Sequence, residues 1–239
     1  MIALWFSQQR ALINAAPSPL PPPFSQQQHS SQTATPMTLP TVGSGAFSLA
    51  AESGAVPLSA AQSDFLSSLN RLPISVKRAL DCRPAIAQLA RELISAQHMF
   101  ILGKGFAEPI AREAALKLKE IAYIHAEGFS GGALKHGPFA LLEKDTPVVL
   151  FVYADEHFEL MRIAAQETAA RGALNIVVTD VPSRIDASIA RHVIAVPSNG
   201  PLTALGGVAP LQLLAYEIAI AKGINPDKPR NLAKAVTVD

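Results

Sequence analysis

The sequence predicts an α/β fold: a three-layer sandwich in which helices cover both faces of a parallel sheet of about five strands, preceded by a low-complexity segment. From about residue 64 onward, short apolar runs rich in β-branched residues alternate with stretches of helical periodicity. Uniformly apolar strands of this kind are typical of parallel sheets that are buried on both faces. The 239 residues are enough for one such domain and an appended segment.

The first 64 residues differ in composition from the rest of the chain. They are rich in Pro, Ser, Gln, Thr and Ala, and Arg10 and Glu52 are the only charged residues before Asp64. Proline removes backbone donors and Ser/Gln tracts bury little apolar surface, so we expect a flexible segment without a packed core. Folding of this segment on a partner is the alternative. The domain is then expected over residues 65–225, and a C-terminal tail over residues 226–239.

The elements of the domain follow in order along the chain. Helices are predicted for PAIAQLARELISA, for residues 108–124, for HFELMRIAAQETAARG, which ends at a glycine, and for residues 206–223. Buried strands are predicted for HMFILG, TPVVLFVYA, ALNIVVTD and HVIAVPS. In sheets of this kind ligands bind beyond the carboxyl ends of the strands. The turn after Gly103 and the loop that holds Lys135 and His136 are therefore candidate walls of a binding site.

The composition excludes several classes of function. The net charge is +1 and the basic residues are scattered, so neither nucleic acid nor a membrane surface is an expected partner. Pro210, Gln212 and Glu217 interrupt the apolar stretch 203–223, which favours a buried or interface helix over a membrane span. Cys82 is the only cysteine, which excludes an intrachain disulfide and indicates a reducing, cytoplasmic compartment. No cofactor is expected.

Two loops and their histidines remain open to more than one interpretation. His125 and His136 have no partners at the usual ligand spacing, so no metal site is expected. His136 stands in GALKHGP, where a histidine is either a polar loop residue or an imidazole that transfers protons near neutral pH. Gly103-Lys104-Gly105 is either a tight strand-to-helix turn or an anion cradle built from backbone N–H groups.

Three ionisable residues share one stripe of the helix predicted at 108–124. At 100° per residue, Glu113, Lys117 and Glu120 lie within about 60° of one another, between the apolar face and the solvent-facing side. A surface ion pair between Glu113 and Lys117 is the simpler interpretation. The functional interpretation is that Glu120 is a base, partly withdrawn from water, beside a lysine that stabilises developing negative charge. The spacing alone does not choose between them.

Longer sequence motifs favour the functional interpretation of these residues. The stretches EAALKLKEIAYIHAEGFSGGALKHGP, PLQLLAYEIAIAKG and PDKPRNLAKAVTVD resemble the second sugar-isomerase (SIS) half of the glutamine–fructose-6-phosphate aminotransferase family. The resemblance extends from about residue 65 to residue 239 and implies a flavodoxin-like SIS fold. It also implies the isomerase half of glucosamine 6-phosphate synthesis, namely ring opening of fructose 6-phosphate, a Schiff base, and proton transfer between C1 and C2.

The resemblance implies roles for matching residues. Glu120 matches the base that moves the proton between C1 and C2, Lys117 matches its cationic neighbour, and Glu113 in the same stripe is an expected substrate contact. His136 matches the residue that opens the sugar ring and that a second copy contributes across a dimer interface, so a homodimer is expected. Lys234 in the tail matches the lysine that forms the Schiff base. Its neighbour Ala233 is expected to contact the substrate through the backbone.

The sequence also departs from the family. The family carries a glutaminase domain with a nucleophilic cysteine beside the initiator Met, whereas this sequence begins Met1-Ile2 and is not expected to hydrolyse glutamine by that route. The Ser-Gln-Ser-Gly-x-Thr phosphate loop of the family's first SIS half does not occur in this sequence, and residues 1–10 only faintly resemble the last helix of that half. We therefore expect weak sugar-phosphate binding by this chain alone, and a separate chain with the glutaminase and first SIS domains is a candidate partner. The alternative function is a non-catalytic sugar-phosphate-binding module that regulates or scaffolds a partner.

Overall fold

The computed structural model describes residues 58–232. Most of the low-complexity segment and the tail residues 233–239 lie outside this range. The first described helix, α1, spans Ala60–Ala79, so the boundary expected near residue 64 falls inside it. The helix begins where it does because Ser59 and Gln62 form a capping box: the Gln62 N–H donates to Ser59 Oγ at 3.2 Å, and the Ser59 N–H donates to Gln62 Oε1 at 2.9 Å.

Five parallel strands form one sheet in the order β2-β1-β3-β4-β5. Their bounds are β1 His98–Gly103, β2 His125–Ser130, β3 Pro147–Phe151, β4 Leu174–Thr179 and β5 His192–Ala195. The sequence patterns predict four of these strands and miss β2. Its sequence HAEGFS contains no apolar run, which is why it was missed. The other edge strand, β5, has such a run, but only one of its four residues is buried, so the prediction of a buried strand there was wrong.

The helices after α1 are α2 Arg83–Glu92, α3 Ala107–Lys117, α4 Phe158–Ala169, α5 Thr203–Gly206 and α6 Val208–Ala221. The helix predicted over 108–124 is α-helical only as far as Lys117 and continues as a π-helical turn, Leu118–Ala122. Short 3₁₀ turns lie at Leu80–Cys82, Leu134–His136, Pro138–Leu141, Pro182–Arg184 and Gly200–Leu202. After α4 the Gly172 N–H donates to the Ala169 carbonyl, which matches the predicted end at a glycine.

Helices cover both faces of the sheet, which confirms the three-layer prediction. On one face, side chains of α2, α3 and α6 pack with alternate strand residues such as Ile101 and Val149. On the other face, α4 packs with the intervening strand residues, including Leu102 and Leu150. The alternation follows from the period-two geometry of a strand, in which successive side chains point to opposite faces.

Within the described residues, the stretch Gly200–Ala221 is long and apolar enough to cross a membrane by length and composition, with a mean hydropathy of 1.5. In the fold, 56% of its 18-residue window of highest hydropathy is buried. Its α6 portion buries Leu211, Leu214 and Ile218 in the core shared with α2 and α3. The α6 portion of the stretch is therefore a helix of the core, which is one of the two alternatives to a membrane span that the sequence favours.

Candidate functional site

The predicted ionic stripe is present at the end of α3. Lys117 Nζ lies 2.6 Å from Glu120 Oε2 and 3.7 Å from Glu113 Oε1. About one third of each of the three side chains is exposed. One ammonium therefore bridges two carboxylates at the margin of the core, in a position that solvent and small ligands can reach.

The charge state of Lys117 follows from these contacts. Partial burial acts to lower the pKa of Lys117, but the hydrogen bond to Glu120 and the charges of Glu113 and Glu120 outweigh it, so the pKa lies above its ordinary value. The group remains an ammonium at neutral pH. Lys117 can therefore stabilise negative charge beside Glu120, but it is poorly suited to attack a carbonyl, which requires a neutral amine.

Glu120 lies in the π-helical turn rather than in regular α-helix. The turn Leu118–Ala122 is closed by the Tyr123 N–H, which donates to the Leu118 carbonyl, and Tyr123 itself adopts a left-handed backbone with φ 54° and ψ 37°. Single π-helical turns often occur at functional sites. The angular argument from 100° per residue does not hold through such a turn, yet the Glu120 carboxylate still lies 2.6 Å from the Lys117 ammonium.

A cavity of about 400 Å³ opens beside Glu120. It is lined from the α3 side by Lys119, Glu120, Tyr123, Ile124 and His125, and from the C-terminal segment by Arg230, Asn231 and Leu232. The described chain thus ends at the wall of the cavity that holds the candidate base. The predicted tail residues Ala233 and Lys234 lie outside the described residues.

The other candidate walls lie where the sequence predicts, beyond the carboxyl ends of β1 and β2. Gly103 and Ser130 are paired at the ends of these strands, and Lys104 Nζ lies 3.2 Å from Ser130 Oγ. Gly103-Lys104-Gly105 forms a tight strand-to-helix turn, in which the Ala107 N–H donates to the Lys104 carbonyl and Gly105 has φ 57°. A cavity of about 500 Å³ adjoins this turn, lined by Lys104, Gly105, Glu108, Pro109, Arg112 and His157.

The structure does not bring His136 to Glu120 within one chain. His136 is exposed at the end of the 3₁₀ turn Leu134–His136, which is anchored by the buried Leu134 and follows the carboxyl end of β2. Glu120 precedes the amino end of the same strand. The six residues of β2 span about 20 Å at 3.3 Å per residue. The two predicted site residues therefore lie at opposite ends of the sheet edge.

Sequence reasoning missed the contact between Tyr123 and Arg230, which joins two segments that line the Glu120 cavity. The Arg230 N–H donates to Tyr123 Oη at 2.8 Å, and its guanidinium lies 4.2 Å from the centre of the Tyr123 ring. Nothing in the periodicity signals a contact between residues so far apart in the sequence. Within residues 58–232, no group of three or more His, Cys, Asp or Glu side chains is arranged to hold a metal ion.

Similar proteins place this geometry in a family. A family model described as SIS domain matches residues 92–222. The chain is 46% identical over 186 residues to glutamine–fructose-6-phosphate aminotransferase (isomerizing) of Treponema pallidum, and 44% identical over 179 residues to the protein of the same name from Shewanella oneidensis. These alignments cover 72% and 74% of this chain but only 29% of each relative.

Solved structures agree with the sequence comparison. The C-terminal domain of glucosamine-fructose-6-phosphate aminotransferase from Francisella tularensis superimposes with a TM-score of 0.68 at 36% identity, covering 72% of this chain and 49% of that one. Residues 92–222, which match the family model, include all five strands and the stripe at the end of α3. The resemblance drawn from the sequence motifs is thereby confirmed at the level of the domain, and the chain belongs to the SIS domain family.

Proposed function

We propose that this domain catalyses the isomerase half of glucosamine 6-phosphate synthesis, acting on fructose 6-phosphate in amino-sugar formation. One observation carries the proposal: a carboxylate and an ammonium 2.6 Å apart, Glu120 and Lys117, lie beside a cavity of about 400 Å³ into which the C-terminal segment leads. A base next to a fixed positive charge suits proton transfer alpha to a carbonyl, in which negative charge develops on the substrate oxygen.

The reach of the tail supports a role for Lys234. Leu232 lines the cavity, and two residues of chain span at most about 7 Å. Lys234 is thus close enough in the sequence to bring its side chain to a sugar bound against Glu120. In the proposed scheme its neutral amine adds to the C2 carbonyl of the open-chain ketose and water leaves, forming a Schiff base. Ala233 would contact the same substrate through its backbone.

Glu120 and its neighbours would carry the second half of the scheme. Ammonia first displaces the Lys234 amine from C2. The Glu120 carboxylate then takes a proton from C1 and returns one to C2, while the Lys117 ammonium stabilises the negative charge that develops on the C1 oxygen as its hydroxyl proton is lost to solvent. Glu113, 3.7 Å from Lys117 Nζ, holds that ammonium in place and adds a substrate contact. The raised pKa of Lys117 fits this division of labour, because one lysine must stay charged while the other must become neutral.

We assign ring opening to His136 of a second copy of the chain. Each copy would offer its His136 loop to the cavity of the other, so the active form is proposed to be a homodimer in the cytoplasm. The relatives named above are more than three times as long as the region that matches this chain. A separate chain that carries the glutaminase and first SIS domains is accordingly proposed as the partner that supplies ammonia and phosphate contacts.

Borohydride trapping tests the proposal. The 239-residue chain is incubated with fructose 6-phosphate and reduced, and the adduct is located by peptide mass mapping in the parent, Lys234→Ala and Lys228→Ala proteins. We expect an adduct at Lys234 that is lost only in Lys234→Ala. Lys222 is the main competing site for adduct formation, because burial lowers the pKa of Lys222 and makes its neutral form more accessible. An adduct at Lys222, or one that survives in Lys234→Ala, would refute the assignment. Binding of fructose 6-phosphate without any adduct would favour the non-catalytic regulatory module.

A further inference from the structure

The backbone of Tyr123 is held in an unfavourable conformation. Its φ of 54° places an aromatic residue in the left-handed region, which costs about 1–2 kcal/mol for residues other than glycine. Such conformations persist only where the surroundings enforce them, and they cluster at functional sites. Here the conformation ends the π-helical turn that carries Glu120, so Tyr123 fixes where that turn stops.

The side chain of Tyr123 holds the start of the C-terminal tail. Tyr123 Oη accepts the Arg230 N–H at 2.8 Å, and the Arg230 guanidinium stacks 4.2 Å from the ring centre. The next residue, Asn231, also has a left-handed backbone, with φ 60°. Two of the three residues other than glycine with positive φ in residues 58–232 therefore line the Glu120 cavity.

A second contact joins the π-helical turn to the end of α6. Lys222, the C-cap residue of α6, donates from Nζ to the Ala122 carbonyl at 3.1 Å. Ala122 is the last residue of the π-helical turn and directly precedes Tyr123. Lys222 thus contacts the backbone of the turn, and Arg230 contacts the Tyr123 side chain that follows it.

We propose that Tyr123 is a positioning residue: together with Lys222, it fixes where the C-terminal tail starts relative to the π-helical turn that carries Glu120. This inference rests on the proposed function. Glu120 lies three residues before Tyr123, and Lys234 lies four residues after Arg230. The hydrogen bond between Tyr123 and Arg230 is therefore separated from Glu120 by at most about 11 Å of chain and from Lys234 by at most about 14 Å of chain. Without this hydrogen bond, the start of the tail at Arg230 is no longer fixed beside Glu120.

The substitution Tyr123→Phe tests the hydroxyl while it keeps the ring under the guanidinium. Tyr216→Phe, on the partly exposed side of α6, is the matched control. Amide hydrogen exchange of the 239-residue chain is followed by NMR, and the rate of borohydride trapping at Lys234 is measured on the same samples. We expect Arg230 amide exchange to be roughly 3- to 10-fold faster in Tyr123→Phe, as loss of one hydrogen bond implies, with trapping slowed by a similar factor. Tyr216→Phe should match the parent in both.

Several outcomes would overturn the inference. Unchanged Arg230 exchange in Tyr123→Phe would show that the hydroxyl does not hold the tail. Faster Arg230 exchange with unchanged trapping would show that the hold has no part in the chemistry. Equal acceleration of buried strand amides such as Val149 would reveal a general loss of stability instead. If the parent forms no adduct at Lys234, the proposed function fails, and Arg230 exchange still decides whether the tail is held.

Substitutions of Lys222 provide an independent test of the proposal. Lys222→Met removes the donor to the Ala122 carbonyl, whereas Lys222→Arg keeps a donor of similar reach. We expect trapping at Lys234 to slow in Lys222→Met and to recover in Lys222→Arg, without a change in the exchange of Val149. Equal trapping in both variants and the parent would remove Lys222 from the proposal.

Discussion

Glu120 and His136 lie at opposite ends of strand β2 and belong to opposite layers of the sandwich. Leu118 and Ala122, on either side of Glu120, are buried in the core shared with α2, α3 and α6. Leu134, which anchors the turn that holds His136, is buried in the core against α4. His136 could therefore serve the Glu120 cavity only from another copy of the chain, which is what the sequence resemblance implies.

This separation predicts that the His136→Ala chain regains trapping when it forms a dimer with the Lys234→Ala chain. His136→Ala lacks the ring-opening group and should trap fructose 6-phosphate slowly, whereas Lys234→Ala cannot trap it at all. After equimolar mixing and subunit exchange, about half of the His136→Ala chains should sit in mixed dimers and regain rapid trapping. Mass mapping distinguishes the two chains. No recovery on mixing, or only monomer by sedimentation at micromolar concentration, would contradict the shared site.

Lys117 is predicted to act as a charge and not as a nucleophile. Lys117→Met keeps the length of the side chain and removes the ammonium beside Glu120. A charge-assisted hydrogen bond is worth about 1.5–3 kcal/mol, so deuterium exchange from D₂O into fructose 6-phosphate should slow about 10- to 100-fold. Lys77→Met, at an exposed position near the end of α1, is the control. Exchange at the parental rate in Lys117→Met would remove this lysine from the mechanism.

The dependence of stability on pH should have opposite signs for Lys117 and Lys222. The pKa of Lys117 is raised in the folded protein, so its favourable contribution is complete below the unfolded pKa of about 10.4 and is lost as pH rises through the folded pKa. Burial lowers the pKa of Lys222, so its unfavourable contribution is relieved as pH rises through the folded pKa. Urea unfolding between pH 8 and 11 should show the advantage of the parent over Lys117→Met shrinking and that over Lys222→Met growing. Parallel trends would contradict this.

The sequence predicted those features that depend on local periodicity. The four apolar strands, the helices after residue 80 and the stripe of Glu113, Lys117 and Glu120 all follow from the spacing of apolar and charged residues. Strand β2 could not be found in this way, because its sequence HAEGFS lacks the apolar run that marks β5, the other edge strand. Its assignment depends on pairing with β1, which no local pattern records.

The contacts around the Glu120 cavity also could not be predicted from local sequence patterns. The π-helical turn and the left-handed Tyr123 result from tertiary contacts with Lys222 and Arg230, and local propensity opposes the left-handed backbone of an aromatic residue. The sequence identified Glu120 as a candidate base through its spacing from Lys117. It could not show that the chain returns to this point about 110 residues later, because that contact depends on the path of the whole domain.

A buried polar bridge is predicted to hold α1 on the domain. Asn199, after β5, accepts a hydrogen bond from Arg71 Nε at 3.3 Å and donates from Nδ2 to the Ser68 carbonyl at 2.9 Å. Both Asn199 and Ser68 are buried. Asn199→Ala leaves the Ser68 carbonyl without this donor and should lower the free energy of unfolding by about 1–3 kcal/mol in urea denaturation. Asn70→Ala, at an exposed position on α1, should change it by less than about 0.5 kcal/mol. Equal effects would show that the bridge adds nothing.

The close approach of Gly207 to Tyr153 predicts a rescue. A Cβ at Gly207, between α5 and α6, would overlap Tyr153 Oη, which is buried just beyond the carboxyl end of β3. Gly207→Ala should therefore lower the free energy of unfolding by about 1–3 kcal/mol, as overpacking does. Gly206→Ala is the control, because its Cβ would meet no atom within 4 Å and alanine is the better helix former.

Adding Tyr153→Phe removes the hydroxyl that the new methyl group would meet, so the double variant should regain a large part of the stability lost in Gly207→Ala. Recovery stays incomplete because the Phe151 ring also lies 2.9 Å from the added Cβ. The effect should not change between pH 6 and 9, since burial raises the pKa of Tyr153 and the hydroxyl stays protonated there. Stabilities are measured by urea unfolding as a double-mutant cycle. Strictly additive effects of the two substitutions would show that Tyr153 Oη does not limit the size of residue 207.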